Sequence, residues 1–164
     1  MRTLRTLAAA LATMPMAVPA SAGDIERLDP AAFTEVPPTV RAGLQRLGCT
    51  IPQSFTAKRP ENVIRGSFTE RGAAQWAALC SVNGTSDIVI FRAGAAEPVA
   101  RLAQEPDDIY VQVVAPGRSG YSRLLATGHA TSGGLNPIHD AFVEKASIVW
   151  YRVGTGWRSK ISAD

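Results

Sequence analysis

His129 and His139 are the only histidines in the chain, and they bracket Gly128 to His139, "GHATSGGLNPIH", the longest stretch without a periodic pattern. Asp140 and Glu144 follow closely. Two imidazoles and two carboxylates are the residue types that hold a transition metal or move a proton. The His-x9-His spacing matches no recognised ligand signature. Asp140 and Glu144 share a face only if that piece is helical. A small hydrolase or metal-dependent enzyme using His129, His139 and Asp140 is therefore the alternative reading. The plainer one makes both histidines surface or loop-bracing residues.

Serine chemistry fares no better. Ser119, Ser122 and Ser132 are available to a histidine and Asp140, but the chain has no Gly-x-Ser-x-Gly elbow. "APGRSGYSR" is glycine-rich with two arginines, so its backbone amides can hold an anion; a solvated hairpin loop is the favoured reading. Asp107 and Asp108 are adjacent, and adjacent residues on a strand point to opposite faces. They suit a turn better than a general acid and base. No cofactor and no metal site are expected.

The aromatic residues offer a binding function instead. Trp150, Tyr151 and Trp157 lie across a hairpin centred on Gly154-Thr155-Gly156. Residues 150 and 151 face opposite sides, so one belongs to a core and the other is free to face out. An exposed aromatic on an antiparallel sheet can anchor a protein or an envelope glycan. The competing reading covers both faces, one of them with an N-terminal helix. The expected binding residues are thus His129, His139, Asp140, Tyr151 and Trp157, in a non-catalytic module.

The positioning elements are legible in outline. Asp29-Pro30 is an N-cap with proline at the first helical position. Pro37-Pro38 starts a second piece, "PTVRAGLQRLG", in which Val40, Leu44 and Leu47 form one apolar stripe and Gly48 marks the end. From Asn62 onward the pattern turns to strands: "NVIRGSF", "AQWAALCSV" and "SDIVIFR" are short and rich in apolar and β-favouring residues, "IYVQVVA" alternates around Gln112, and "SIVWYRV" and "WRSKIS" flank a hairpin turn. Asn83-Gly84 is a hairpin turn. Segment 98–108 reads equally as strand or weak helix. The expected fold class is α+β: short N-terminal helices packed on a mainly antiparallel β-sheet.

The first 22 residues read as a signal peptide. Arg2 and Arg5 form a positive start, Leu7 to Val18 a short apolar run, and Ala20-Ser21-Ala22 a cleavage site. The run is short and broken by prolines, so no stable membrane insertion is expected after cleavage. No cysteine follows it, and the two arginines are not adjacent. Residues 23–164 then form a single domain in the periplasm or outside the cell. The formal charge of +3 includes Arg2 and Arg5, so the remaining chain carries +1. Its basic residues are scattered rather than massed, which leaves little counterion release to drive nucleic-acid binding.

Cys49 and Cys80 are the only cysteines. In an oxidising compartment an even pair reads as one disulfide, here tying the helical N-terminus to an inner strand. With no Cys-x-x-Cys and no third thiol, metal ligation and redox catalysis lack partners. A closed loop of about 30 residues contributes roughly 3–4 kcal/mol in the chain-entropy account.

Gly66, Phe68, Gly72, Ala77 and Leu79 match the framework of a blade from an FG-GAP, integrin-type propeller, and the stretch from Gly66 to Leu79 resembles one locally. That repeat binds calcium through Asp and Asn side chains. Here Ser67, Thr69, Arg71 and Gln75 stand in their places, and one acid, Glu70, cannot supply the oxygens calcium needs. The loop is expected to keep its spacing for geometry, with Gly72 free to adopt positive φ. A propeller needs at least four blades, which a chain of this size cannot hold. The chain as a whole resembles a group of short exported bacterial proteins of unknown function. They share a Cys-x-Ile-Pro-Gln segment (Cys49 to Gln53), a strand like "WAALCS" (Trp76 to Ser81), and an ending with "EKAS", an aromatic strand and Gly-Trp (Glu144 to Ser147, Trp150-Tyr151, Gly156-Trp157). Those residues are structural, so the resemblance implies a fold and a compartment rather than an activity.

Overall fold

Apolar side chains on both faces of two central strands decide the architecture, because each face needs its own cover. The computed structural model describes residues 25–162; the expected signal peptide at 1–22 lies outside the described residues. In chain order the elements are β1 (Arg27–Leu28), a 3-10 turn (Pro30–Ala32), helix α1 (Pro38–Arg46), β2 (Ile51–Pro52), β3 (Val63–Gly66), β4 (Gln75–Val82), β5 (Thr85–Arg92) and β6 (Pro98–Pro106). A second 3-10 turn (Asp107–Tyr110) leads to β7 (Val111–Ala115), β8 (Arg118–Tyr121), β9 (Arg123–Thr127), β10 (Ile138–Phe142), β11 (Ala146–Val153) and β12 (Gly156–Ser162).

Two four-stranded antiparallel sheets result, ordered β3-β4-β5-β6 and β12-β11-β10-β9, with two-stranded ribbons β1-β2 and β7-β8 beside them. On one face of the first sheet, Ala78, Cys80, Val89 and Phe91 pack against Val40 and Leu44 of α1 and against Phe33 and Val36. On the other face, Ala77, Leu79, Ile88 and Ile90 meet Leu125 and Ile138 of the second sheet, with Phe68, Tyr110 and Tyr121 completing the cluster. The layers are therefore helix, sheet and sheet.

The expected α+β class is corrected by this arrangement. Among the described residues, helix is limited to the nine residues of α1 and two 3-10 turns, while nearly half are antiparallel strand. The reason is the two-sided burial of β4 and β5: one short helix covers a single face, and only another sheet is broad enough for the other. Segment 98–108 resolves as strand β6 followed by the second 3-10 turn.

Local signals act as expected in several places. Asp29 Oδ1 accepts from the Ala31 N–H at 2.7 Å, and Val40 and Leu44 are the buried stripe of α1. The Cys49–Cys80 disulfide is formed, with a Cα–Cα distance of 4.9 Å. It fastens the segment after α1 to β4, an inner strand. Next to it, Thr50 and Ser81 exchange backbone hydrogen bonds of 3.0 and 2.9 Å, so Thr50 pairs with β4 beyond the end of β3. Among the described residues, no helix is long and apolar enough to cross a membrane.

Candidate functional site: the outer face of the second sheet

Strand parity sorts the expected site residues. In the second sheet, Ile138 of β10 sits opposite Trp150, His139 opposite Val149, and Asp140 opposite Ile148. Ile138 and Trp150 belong to the inter-sheet core, so Asp140 and Trp157 point inward with them. His139 and Tyr151 point outward. Across from β12, Tyr151 pairs with Arg158 and Val149 with Lys160. The outer face thus carries an imidazole, a phenol, a guanidinium and an ammonium as near neighbours. Arg158 and Lys160 are exposed, and His139 and Tyr151 are half-buried.

His139 is held in place by a missing side chain. A Cβ built on Gly128 would lie 2.8 Å from His139 Nε2 and 2.7 Å from Pro137 Cγ. Glycine therefore lets the imidazole lie flat against the start of the 128–137 loop. That loop is braced rather than loose. Asn136 donates from Nδ2 to the Gly128 carbonyl at 2.9 Å, and its Oδ1 accepts from the Ser67 N–H at 2.9 Å. The Asn136 N–H returns to the Ser67 carbonyl at 2.8 Å. His129 stands exposed on the same loop.

Asp140 does different work. Arg123 Nε donates to its Oδ1 at 2.8 Å and Arg123 Nη2 to its Oδ2 at 2.9 Å. Arg123 also donates to the Ala103 carbonyl of β6 at 2.9 Å, and its guanidinium carbon lies 4.7 Å from the Tyr110 ring centroid. The Arg123 side chain has no exposure and that of Asp140 only 1%. Burial pulls the Arg123 pKa down, but the Asp140 hydrogen bonds and charge outweigh it, and the net shift is upward. Asp140 and His139 are thus on opposite faces, and both Asp140 oxygens are engaged. The structure does not bring His129, His139 and Asp140 together into one cleft. Among the described residues, no group of three His, Cys, Asp or Glu side chains is placed to share an ion.

A second buried acid also escapes sequence reading. Asp107 accepts from Arg27 Nη2 at 2.8 Å, from Ser81 Oγ at 2.5 Å, and from Ser86 Oγ. It ties β1, β4 and β5 to the second 3-10 turn. Ser122 is buried and donates to the Tyr110 carbonyl at 2.5 Å, while Ser119 and Arg118 sit exposed on the β7-β8 hairpin. Parity was the available signal for Arg123: it stands two residues after Tyr121 and two before Leu125, both core positions.

The loop between β3 and β4 closes on an amide. Gln75 Oε1 accepts from the Phe68 and Thr69 N–H groups, each at 2.7 Å, and its Nε2 donates to Thr69 Oγ1 at 2.5 Å. Gln75 is fully buried, and the loop inserts Phe68 into the inter-sheet core. Gly72 takes φ +71°, the conformation expected of it.

A cavity of about 550 Å3 lies where β3 and β9 run side by side, lined by Glu35, Arg59, Glu61, Asn62 and Leu124 among others. It contains none of the expected site residues. No protein-family model, no curated protein and no solved structure matches the chain.

Proposed function

We propose that the protein is an exported, non-catalytic binding module that takes a protein or cell-envelope glycan partner on the outer face of the second sheet. The observation that carries this reading is the convergence of His139, Tyr151, Arg158 and Lys160 on one face, where Arg158 and Lys160 are exposed around the buried Val149. Imidazole and phenol combine apolar area with hydrogen-bonding tips, and they sit on strands rather than loops, so little ordering entropy is lost on contact. The braced 128–137 loop borders the same face through Gly128 and His139. The inward carboxylates are spent on structure, which leaves the outer face as the free chemical surface. The disulfide suits an oxidising compartment, in keeping with the leader-like first residues.

The test is affinity capture from a native envelope extract, comparing the wild type with a His139→Ala/Tyr151→Ala variant whose fold is verified by circular dichroism. The expected result is a partner retained by the wild type and lost by the variant. If every wild-type partner stays on the variant, the outer face is not the binding surface.

A further inference from the structure

Both four-stranded sheets end in open edges, but the two edges are built differently. The edge strand β6 begins and ends in proline, shifts register twice against β5, and holds Ala103 at φ +56°. These are the devices by which proteins stop strands from adding to a sheet. The other edge, β12, has none of them. It pairs with β11 through seven consecutive residue pairs without irregularity, from Ser147↔Ser162 to Val153↔Gly156, and contains no proline. The two-residue connection makes Val153 and Gly156 a hydrogen-bonded pair, so bonding to β11 falls on residues 156, 158, 160 and 162. The N–H and C=O groups of Trp157, Ser159 and Ile161 therefore point away from the sheet. Ile161 is 80% exposed, on the side where Phe142, Ile148 and Ile161 line an apolar cavity of about 170 Å3.

We infer that β12 is a receiving edge for an extended strand of a partner protein in which acidic and apolar residues alternate. Such a strand completes the ladder at 157, 159 and 161 by β-augmentation. Its outward side chains fall beside Arg158 and Lys160, where acids match the two cations. Its inward side chains fall beside Ser159 and Ile161, where apolar groups cover the exposed isoleucine. A second copy of this chain is a poor occupant: laid antiparallel about Ser159, each Arg158 faces the other copy's Lys160, and like charges opposite one another oppose pairing. The charges thus oppose self-pairing centred on Ser159 and favour an acidic strand. This rests on the binding-module reading and specifies the partner's chemistry at the rim of the same face.

The experiment uses the full chain with its disulfide intact and three capped, fluorescent heptapeptides. In the first, valine alternates with glutamate; in the second, lysine replaces glutamate; the third is the first with N-methyl groups on alternate backbone amides, synthesised in both phases. Fluorescence anisotropy is expected to give binding of the glutamate peptide with Kd below about 1 mM, loss of binding in the N-methyl phase that blocks the ladder, and no binding of the lysine peptide. Arg158→Glu/Lys160→Glu is expected to weaken the glutamate peptide about tenfold and to bring in the lysine peptide. Ser159→Pro, which removes an outward N–H that β11 does not use, is expected to abolish binding with the circular dichroism spectrum retained. No binding of the glutamate peptide, equal binding of all three peptides, or indifference to both phases of N-methylation overturns the proposal. If Ser159→Pro does not fold, the N-methyl peptides decide alone. Capture that fails in the His139→Ala/Tyr151→Ala variant while the peptides do not bind leaves the outer-face reading standing and removes the edge. Peptide binding with capture unaffected by that variant does the reverse.

Discussion

Arg123 on β9 grips Asp140 on β10 with two parallel hydrogen bonds, Nε to Oδ1 at 2.8 Å and Nη2 to Oδ2 at 2.9 Å, where neither side chain meets solvent. Charge-assisted and bidentate, the pair joins two adjacent strands, and the third guanidinium bond to Ala103 reaches the edge strand of the opposite sheet. Removing one partner strands the other charge in the interior. Asp140→Asn is expected to lower the unfolding free energy by about 3–5 kcal/mol, read as the urea midpoint at pH 7. The double variant Arg123→Met/Asp140→Leu should be more stable than Asp140→Asn, because no lone charge remains. Equal loss in both would mean that the pair's packing, and not its charge, matters.

Beside that pair, two phenols are kept neutral. Burial pushes Tyr121 far above the ordinary tyrosine value, against the pull of Arg123, and burial likewise raises Tyr110. A folded pKa above the unfolded one favours the protonated phenol in the fold. Stability is therefore complete below about pH 10, where unfolded tyrosines are protonated, and falls as pH rises from there toward the folded values. Each such tyrosine steepens the decline by at most about 1.4 kcal/mol per pH unit. The Tyr121 hydroxyl has no hydrogen-bond partner by geometry, so Tyr121→Phe should be close to neutral at pH 7. Urea titrations at pH 9, 10 and 11 should show a flatter decline for Tyr121→Phe. An unchanged slope would remove Tyr121 from the explanation.

Gln75 holds the β3–β4 loop through three hydrogen bonds from a fully buried amide. Gln75→Ala leaves the Phe68 and Thr69 N–H groups without that acceptor and opens a space beneath Phe68. The expected cost is about 2–4 kcal/mol. Loop opening should also speed tryptic cleavage after the exposed Arg71 relative to other sites. A variant that loses stability without that selective cleavage would show Gln75 to be core filling rather than the loop's clasp.

What could be read from the residues alone was governed by local chemistry. β4, β5 and β11 are rich in apolar and β-favouring residues, and the β4–β5 and β11–β12 hairpins turn at Asn83-Gly84 and Gly154-Thr155, so their type and their hairpins follow directly. α1 follows from Pro38 and the Val40–Leu44 stripe. β9 and β10 resist the same reading because Arg123 and Asp140 place charge at inward positions, where the alternation rule expects apolar groups. The proximity of His139 and Asp140 in sequence suggested one site, yet on a strand adjacency means separation across the sheet. The fold class failed for a related reason: the two-sided apolar character of β4 and β5 was visible, but which layer would cover each face is a long-range choice among elements.

Asn62 illustrates how such long-range joints are made, and it supports the most residue-specific expectation. It sits at φ +68°, a left-handed conformation that asparagine tolerates better than most residues. Its Nδ2 donates to the Pro52 carbonyl at 2.7 Å and to the Arg123 carbonyl at 3.0 Å, and its Oδ1 accepts from the Leu125 N–H at 2.8 Å. The Gly128 and Val143 amides, bonded to Pro137 and Ser122, set the ladder so that Leu124 and Ala126 bond to β10 while Leu125 turns toward β3. One side chain therefore stands in for the ladder between β3 and β9. Asn62→Gly keeps the left-handed backbone and deletes only the amide, so its cost isolates those three bonds, about 2–4 kcal/mol. Amide hydrogen exchange gives the sharper readout. Under conditions where exchange reports local opening, Leu125 should lose protection while Leu124 and Ala126 keep theirs. Uniform change across the three amides would place the effect in global stability and dissolve the bridge.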